Sequence, residues 1–176
     1  IDGWDENGRN FTLDYGFEES EFTRDNARAV VLDHRLAPSC TFVDSGDGPH
    51  SVDIYKVVRA LGSAVYPIKG ASMRLSGGKY IQRSTDTKAL HRGRLIIVDT
   101  HGLKDAWAGA MGRPPDHPLS PVFAECCADD EEFQEQMTNE IRTTGRNGKP
   151  RWEKKTTSAP NHKFDLKIYN YAAAFF

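Results

Sequence analysis

Residues 40–46, Cys-Thr-Phe-Val-Asp-Ser-Gly, constrain the fold of this chain more than any other stretch. The apolar, β-branched run is typical of a buried strand, and it ends in Asp44 and then a glycine. In open α/β sheets, ligands bind where the carboxyl ends of strands meet loops. A carboxylate there is costly unless it is solvated, paired or bound to a metal. Asp44 is therefore expected either to cap its own turn or to bind a metal ion.

The stretches after Asp44 predict how the sheet is built. A helical pattern over residues 51–61 precedes an apolar run over 64–68, which ends at Lys69. Strand, helix and strand in this order indicate a parallel crossover, so Asp44 and Lys69 should emerge at the same edge. Antiparallel strands are predicted over residues 1–4 and 10–17, and a closing helix over 161–176. The predicted fold class is therefore α/β, a mixed sheet flanked by helices.

Bulk properties exclude several classes of protein. A chain of 176 residues with 38% apolar residues fits one domain with its own core. The three cysteines match neither a disulfide framework nor a zinc pattern, which favours a reducing compartment. No apolar run is long enough for a membrane span, and no signal peptide is visible. The first residue is Ile rather than Met, so we expect a piece of a longer chain.

The net charge of −2 conceals two basic stretches. Residues 69–94 carry seven Lys or Arg and one acid, and residues 142–155 carry six and one. Such stretches are either solvated faces or surfaces for a polyanion. If these stretches bind a polyanion such as a nucleic acid, the residues expected to contact it are Lys69, Arg74, Lys79, Arg83, Arg146, Lys149 and Arg151.

A second acid, Asp165, lies in the first turn of the closing helix, for which Asn161 is the expected cap. It could favour the helix dipole or bind a metal. Together with Asp44 it would suit Mg²⁺ or Mn²⁺, which prefer oxygen ligands. Asp99 and His101 follow another strand and could add a metal ligand, but an exposed pair at the strand end is the favoured expectation. No phosphate-binding Gly-rich loop occurs, which favours a nuclease over an ATPase.

Four blocks resemble the nuclease domain of the large terminase subunit of tailed double-stranded DNA bacteriophages, in particular the lambda-like type. They are Gly3-Trp4 with Asp14-Tyr15-Gly16, Phe42-Val43-Asp44-Ser45-Gly46, Ile68-Lys69-Gly70-Ala71-Ser72, and Asn161-His162-Lys163-Phe164-Asp165. A weaker match runs through Asp99-Thr100, Lys104, and Gln136 to Glu140. His162 stands where the family usually has Glu.

The resemblance implies an RNase H-like fold and metal-dependent cleavage of concatemeric viral double-stranded DNA during packaging. It implies that Asp44 and Asp165 are catalytic and hold two Mg²⁺ or Mn²⁺ ions. The first acid of the triad would lie upstream of residue 1, or would be Asp2 in a shifted register. Lys69 would contact the scissile or a neighbouring phosphate.

The resemblance also implies the biological setting. Residues 1–176 would be a single nuclease domain, separated from its ATPase domain and from its first strand. The full-length protein would bind the small terminase subunit and the portal in the host cytoplasm. The alternatives are another RNase H-like nuclease, of resolvase or transposase type, and a non-catalytic DNA-binding or docking module.

Overall fold

The computed structural model of the chain describes residues 1–13, 15, 23–36, 41–46, 51–62, 65–71, 73–84, 94–145 and 148–175. Within them, the strands are β1 (Asp2–Trp4), β2 (Asn10–Thr12), β3 (Thr41–Asp44), β4 (Val65–Gly70), β5 (Ile81–Arg83), β6 (Ile96–Val98), β7 (Val122–Phe123), β8 (Glu140–Thr144) and β9 (Pro150–Lys154). The helices are α1 (Arg24–Asp33), α2 (Ser51–Ala60), α3 (Thr100–Met111), α4 (Glu125–Ala128), α5 (Glu131–Thr138) and α6 (His162–Ala173).

Backbone contacts divide the chain into two compact units. Unit 1 comprises Ile1–Gly16 and Thr100–Ala174, and unit 2 comprises Phe17–Asp99 and Phe175–Phe176. The single nuclease domain expected over residues 1–176 stays a prediction.

Unit 2 is built on a four-stranded sheet in the order β3-β4-β6-β5. Strands β3, β4 and β6 are parallel, and β5 is antiparallel to β6. Asp44 lies opposite Ile68, so the carboxyl ends of β3 and β4 meet at one edge. This confirms the predicted crossover through α2. Val65, Ile68, Ile96 and Val98 are buried because each belongs to a short apolar run.

Unit 1 contains a three-stranded sheet in the order β1-β2-β7 and the separate hairpin β8-β9. Strand β2 pairs antiparallel with β1 and parallel with β7. The apolar spacing of the closing helix predicts a buried stripe of Phe164, Ile168, Tyr171 or Ala172, and Phe175. Phe164, Ile168 and Ala172 are buried, whereas Phe175 is 45% exposed, so the prediction is wrong for Phe175, which lies beyond the end of α6. Strand β2 is shorter than the predicted strand over 10–17, and residues 14, 16 and 17 lie outside the described residues.

The α/β class is confirmed, with mixed sheets flanked by helices, and this architecture is consistent with an RNase H-like nuclease domain. In the part of the chain that is described, no helix is both long enough and apolar enough to cross a bilayer.

The burial of α6 gives a stability prediction. Ile168 is 0% exposed, whereas Leu166 on the same helix is 54% exposed. Ile168→Ala should lower the free energy of unfolding by about 2–5 kcal/mol, because it removes buried methyl groups and leaves a cavity. Leu166→Ala is the matched control and should change it by less than about 0.5 kcal/mol. Urea unfolding of both variants measures the difference, and equal losses would contradict this packing of α6.

Candidate functional site

Asp44 ends β3 at the carboxyl edge of the sheet in unit 2. It is exposed, and its Oδ1 accepts a hydrogen bond of 2.8 Å from the backbone N–H of Gly46. The next residue, Ser45, is buried and donates a 2.9 Å hydrogen bond to the carbonyl of Ile68. The buried serine fixes the end of β3, so the carboxylate stands where the chain leaves the sheet. The predicted turn-capping role is confirmed, and the metal-binding role stays a prediction.

Lys69 and Asp99 lie at the same edge, at the ends of the parallel strands β4 and β6. Lys69 is exposed. Asp99 is only 5% exposed, and its Oδ2 forms an ion pair with Nη1 of Arg74 at a distance of 3.7 Å. The expectation of an exposed pair at Asp99 and His101 is therefore wrong for Asp99. Its strand lies between β4 and β5, and its backbone N–H donates to the carbonyl of Tyr80, so the strand end is covered.

The nominated basic residues are exposed wherever the structure describes them. In unit 2 these are Lys69, Arg74, Lys79 and Arg83. In unit 1, Lys149 and Arg151 are exposed on the hairpin β8-β9, and Arg151 forms an ion pair with Glu153. Arg146 lies outside the described residues. Exposure permits contact with a phosphate backbone, and the DNA-binding role of each residue stays a prediction.

A shared ammonium group organises the surroundings of Asp165 in unit 1. Lys104 Nζ lies 2.7 Å from both carboxylate oxygens of Glu140 and 2.7 Å from Asp165 Oδ1. The side chains of Lys104 and Glu140 are 7% and 5% exposed, whereas that of Asp165 is 36% exposed. The ammonium thus uses its three N–H donors to connect α3, β8 and α6.

Asn161 completes this cluster from the start of α6. Its Nδ2 donates to Glu140 Oε1 at 2.5 Å and to Asp165 Oδ2 at 2.8 Å. Asn161 takes the expected N-cap position of α6, but its side chain makes no capping hydrogen bond to the helix. Two nearby carboxylates accept both of its N–H groups instead.

Asp2 belongs to a second polar cluster. Its Oδ1 lies 2.7 Å from Lys167 Nζ, and the two side chains are 1% and 3% exposed. Lys167 also donates to Asn10 Oδ1 at 2.6 Å and to Thr12 Oγ1 at 2.5 Å. Asp2 Oδ2 is buried and has no hydrogen-bond partner among the described residues. These contacts make Asp2 the counter-ion of Lys167, and its role as a metal ligand stays a prediction.

Burial lowers the pKa of Lys167 below its ordinary value, and the neighbouring Asp2 carboxylate opposes that shift. The ammonium also lies 4.6 Å from the ring centroid of Trp107, a distance typical of cation–π contacts. Lys167 therefore connects α6 to the first hairpin, formed by β1 and β2, through an ammonium group that is almost completely removed from water.

The donor chemistry of Asp44 and Asp165 suits a hard divalent cation. Each Asp165 oxygen accepts one hydrogen bond within the cluster described above, which leaves a second lone pair on each. Across the described ranges, however, no group of three or more His, Cys, Asp or Glu side chains could hold a metal ion. Asp44 belongs to unit 2 and Asp165 to unit 1, so their predicted convergence stays a prediction.

Residues 18–176 match the protein family described as the terminase large subunit gpA, endonuclease domain. The chain belongs to this family. Membership confirms the resemblance and supports a nuclease role in phage DNA packaging, with DNA as the substrate. The match contains the blocks around Asp44, Lys69 and Asp165 of this terminase domain, and leaves the first block outside. Comparisons with curated proteins and with solved structures found no match.

Sequence reasoning gave no role to Lys104 and Glu140 of the terminase domain, although both lie in its weaker matching block. Glu140 reads as one of seven acids between residues 125 and 140, a run that is typical of a solvated face. Its position at the first residue of β8, next to α6, distinguishes it from the others. Only the tertiary contact reveals that difference.

The pair of Asp2 and Lys167 gives a second stability prediction. Asp2→Ala leaves a buried ammonium without its counter-ion, which should cost about 3–5 kcal/mol of unfolding free energy. Adding Lys167→Met should recover part of that loss, because the unpaired charge disappears. Glu6→Ala, in the exposed turn of the same hairpin, is the control and should be nearly neutral. Chemical denaturation tests this, and a neutral Asp2→Ala would contradict the pairing.

Cys126 and Cys127 are expected to differ in reactivity. Cys126 is exposed, whereas Cys127 is buried. Burial, followed by the contact with Cys126, raises the pKa of the Cys127 thiol from 9.0 to about 11. Because the thiolate is the nucleophile, iodoacetamide at pH 8 should modify Cys126 and spare Cys127 until the protein is unfolded. Peptide mass spectrometry locates the label, and equal native labelling of both thiols would refute this.

Proposed function

We propose that this domain is a metal-dependent endonuclease that cleaves concatemeric viral double-stranded DNA during genome packaging. Asp44 and Asp165 would be the catalytic carboxylates and would hold Mg²⁺ or Mn²⁺, with two ions in the working site. The observation that carries the proposal is the Asp165 carboxylate, half-exposed in a family-matched block and oriented by Lys104 and Asn161. An Asp upstream of residue 1 in the same polypeptide, or Asp2, would complete the ligand set.

Such ions activate water and stabilise the leaving oxygen of a phosphodiester. The contribution of this chain is to orient the ligands and to hold the DNA. Lys104 and Asn161 fix the Asp165 carboxylate, and the buried Ser45 fixes the strand end that carries Asp44. Lys69, beside Asp44 at the sheet edge, would contact the scissile or a neighbouring phosphate.

The exposed basic residues would bind the backbone of the duplex. They are Arg74, Lys79, Arg83, Lys149 and Arg151, and Arg146 is included from the sequence alone. Contacts to phosphates give salt-dependent affinity without sequence readout.

The family assignment favours this role over a resolvase, a transposase or a non-catalytic docking module. The partners would be an ATPase domain in the same polypeptide, the small terminase subunit and the portal. The setting would be the host cytoplasm during phage assembly.

Plasmid cleavage tests the proposal. Supercoiled plasmid is incubated with the protein and Mn²⁺, and nicked and linear products are measured over time. Asp165→Asn should slow cleavage roughly 100-fold, because losing about 3 kcal/mol of transition-state stabilisation corresponds to that factor. Asp44→Asn should behave alike. Asp116→Asn is the matched control at an exposed position in unit 1 and should cleave at the wild-type rate. Equal nicking by wild type and Asp165→Asn would end the assignment.

A further inference from the structure

Glu140 is the most enclosed carboxylate of the Lys104 cluster. Its side chain is 5% exposed, and both of its oxygens bind the Lys104 ammonium at 2.7 Å. It also lines an apolar cavity of about 580 Å³, together with Trp107, Phe133 and Phe164. Burial of both side chains lowers the local dielectric, and a low dielectric strengthens the attraction between paired charges. The pair of Glu140 and Lys104 is therefore a fixed support rather than a mobile surface contact.

Lys104 and Asn161, which both donate hydrogen bonds to Glu140, also donate hydrogen bonds to Asp165. Lys104 uses its third N–H on Asp165 Oδ1, and Asn161 places one N–H on Glu140 and the other on Asp165 Oδ2. Each oxygen of Asp165 is thus held by a group that Glu140 also holds. The three charges sum to −1, so the cluster keeps an excess negative charge at its most exposed member.

We propose that Glu140 is a positioning residue for the Asp165 carboxylate, acting through Lys104 and Asn161. This inference rests on the proposed function of Asp165. Glu140 is a poorer metal ligand than Asp165, because its oxygens accept three short hydrogen bonds and its side chain is only 5% exposed. Partners of this kind, one shell removed from a metal ligand, orient it and contribute about 10–100-fold to metal affinity or activity.

Mn²⁺ binding to the metal-free protein, measured by calorimetry, tests the inference without relying on cleavage. Glu140→Gln should weaken Mn²⁺ binding about tenfold or more, and should raise the Mn²⁺ concentration for half-maximal plasmid cleavage by a similar factor. Glu153→Gln is the matched control on the neighbouring strand β9, where the side chain is 39% exposed, and should bind Mn²⁺ as wild type does. A folded Glu140→Gln with wild-type Mn²⁺ affinity would overturn the inference.

The double variant Glu140→Gln/Asp165→Asn separates positioning from general destabilisation. If Glu140 acts through Asp165, the double variant should bind Mn²⁺ no more weakly than Asp165→Asn alone, whereas independent losses that multiply would overturn the inference. If Glu140→Gln does not fold, Asn161→Ala tests the same route, because it removes both bridging bonds without changing charge. Weakened Mn²⁺ binding by folded Asn161→Ala then supports the inference, and wild-type affinity refutes it.

The two proposals fail in different ways. Equal plasmid cleavage by wild type and Asp165→Asn would end the proposed function and, with it, this inference. If Asp165→Asn slows plasmid cleavage but Glu140→Gln and Asn161→Ala bind Mn²⁺ as wild type does, this inference alone is wrong.

Discussion

The arrangement of unit 1 depends on one ammonium group. Lys104 reaches from α3 to the first residue of β8 and to the first turn of α6, and its three donors all end on carboxylate oxygens. Removing charges from water is costly, and pairing offsets that cost only when the geometry satisfies every partner. Here the geometry does so, because Asn161 supplies the additional hydrogen bonds that the two carboxylates need. The three elements are therefore held in one relative position.

A second buried lysine, Lys167, lies on the side of α6 that faces away from the Lys104 cluster. Asp165 and Lys167 are two positions apart on α6, which turns their side chains roughly 200° from each other. Asp165 is held by α3, whereas Lys167 holds Asp2 and the strand residues Asn10 and Thr12. Helix α6 therefore meets charged or polar partners on two faces, in addition to the apolar stripe of Phe164, Ile168 and Ala172. Rotation of the helix about its axis would break both sets of contacts.

Much of unit 2 could be predicted from local pattern. The short apolar runs on either side of a helical segment predicted that β3 and β4 are parallel neighbours. They therefore also predicted that Asp44 and Lys69 lie at the same edge of the sheet. In unit 1, the apolar spacing of the closing helix predicted its buried face. These features follow from neighbours in sequence. The two-residue strand β7 could not be predicted, because it is too short to show a period.

The two polar clusters, around Lys104 and around Lys167, could not be predicted from local sequence patterns for a different reason. Lys104 and Glu140 are 36 positions apart, and Asp2 and Lys167 are 165 apart. Charged residues are usually solvated, so nothing in the sequence marks these particular ones as buried. Asn161 takes the N-cap position that asparagine commonly occupies, but the hydrogen bonds of its side-chain Nδ2 to two carboxylates could not be predicted from the sequence. Asp165 was nominated from its position in the first turn of the closing helix and from the resemblance of its block, and its partners became visible only in three dimensions.

Unit 1 is also discontinuous along the chain, since its first 16 residues are separated from the remainder by residues 17–99. On a ribosome, the stretch from 17 to 99 is synthesised before β7, α3 and α6 exist. Units generally fold as they emerge, so unit 2 can form while the first hairpin still waits for partners. Strand β2 reaches its parallel neighbour β7 only after about 110 further residues, and Asp2 meets Lys167 only after 165. Until Lys167 is synthesised, Asp2 lacks its counter-ion, so this buried pair forms later than the sheet of unit 2 can.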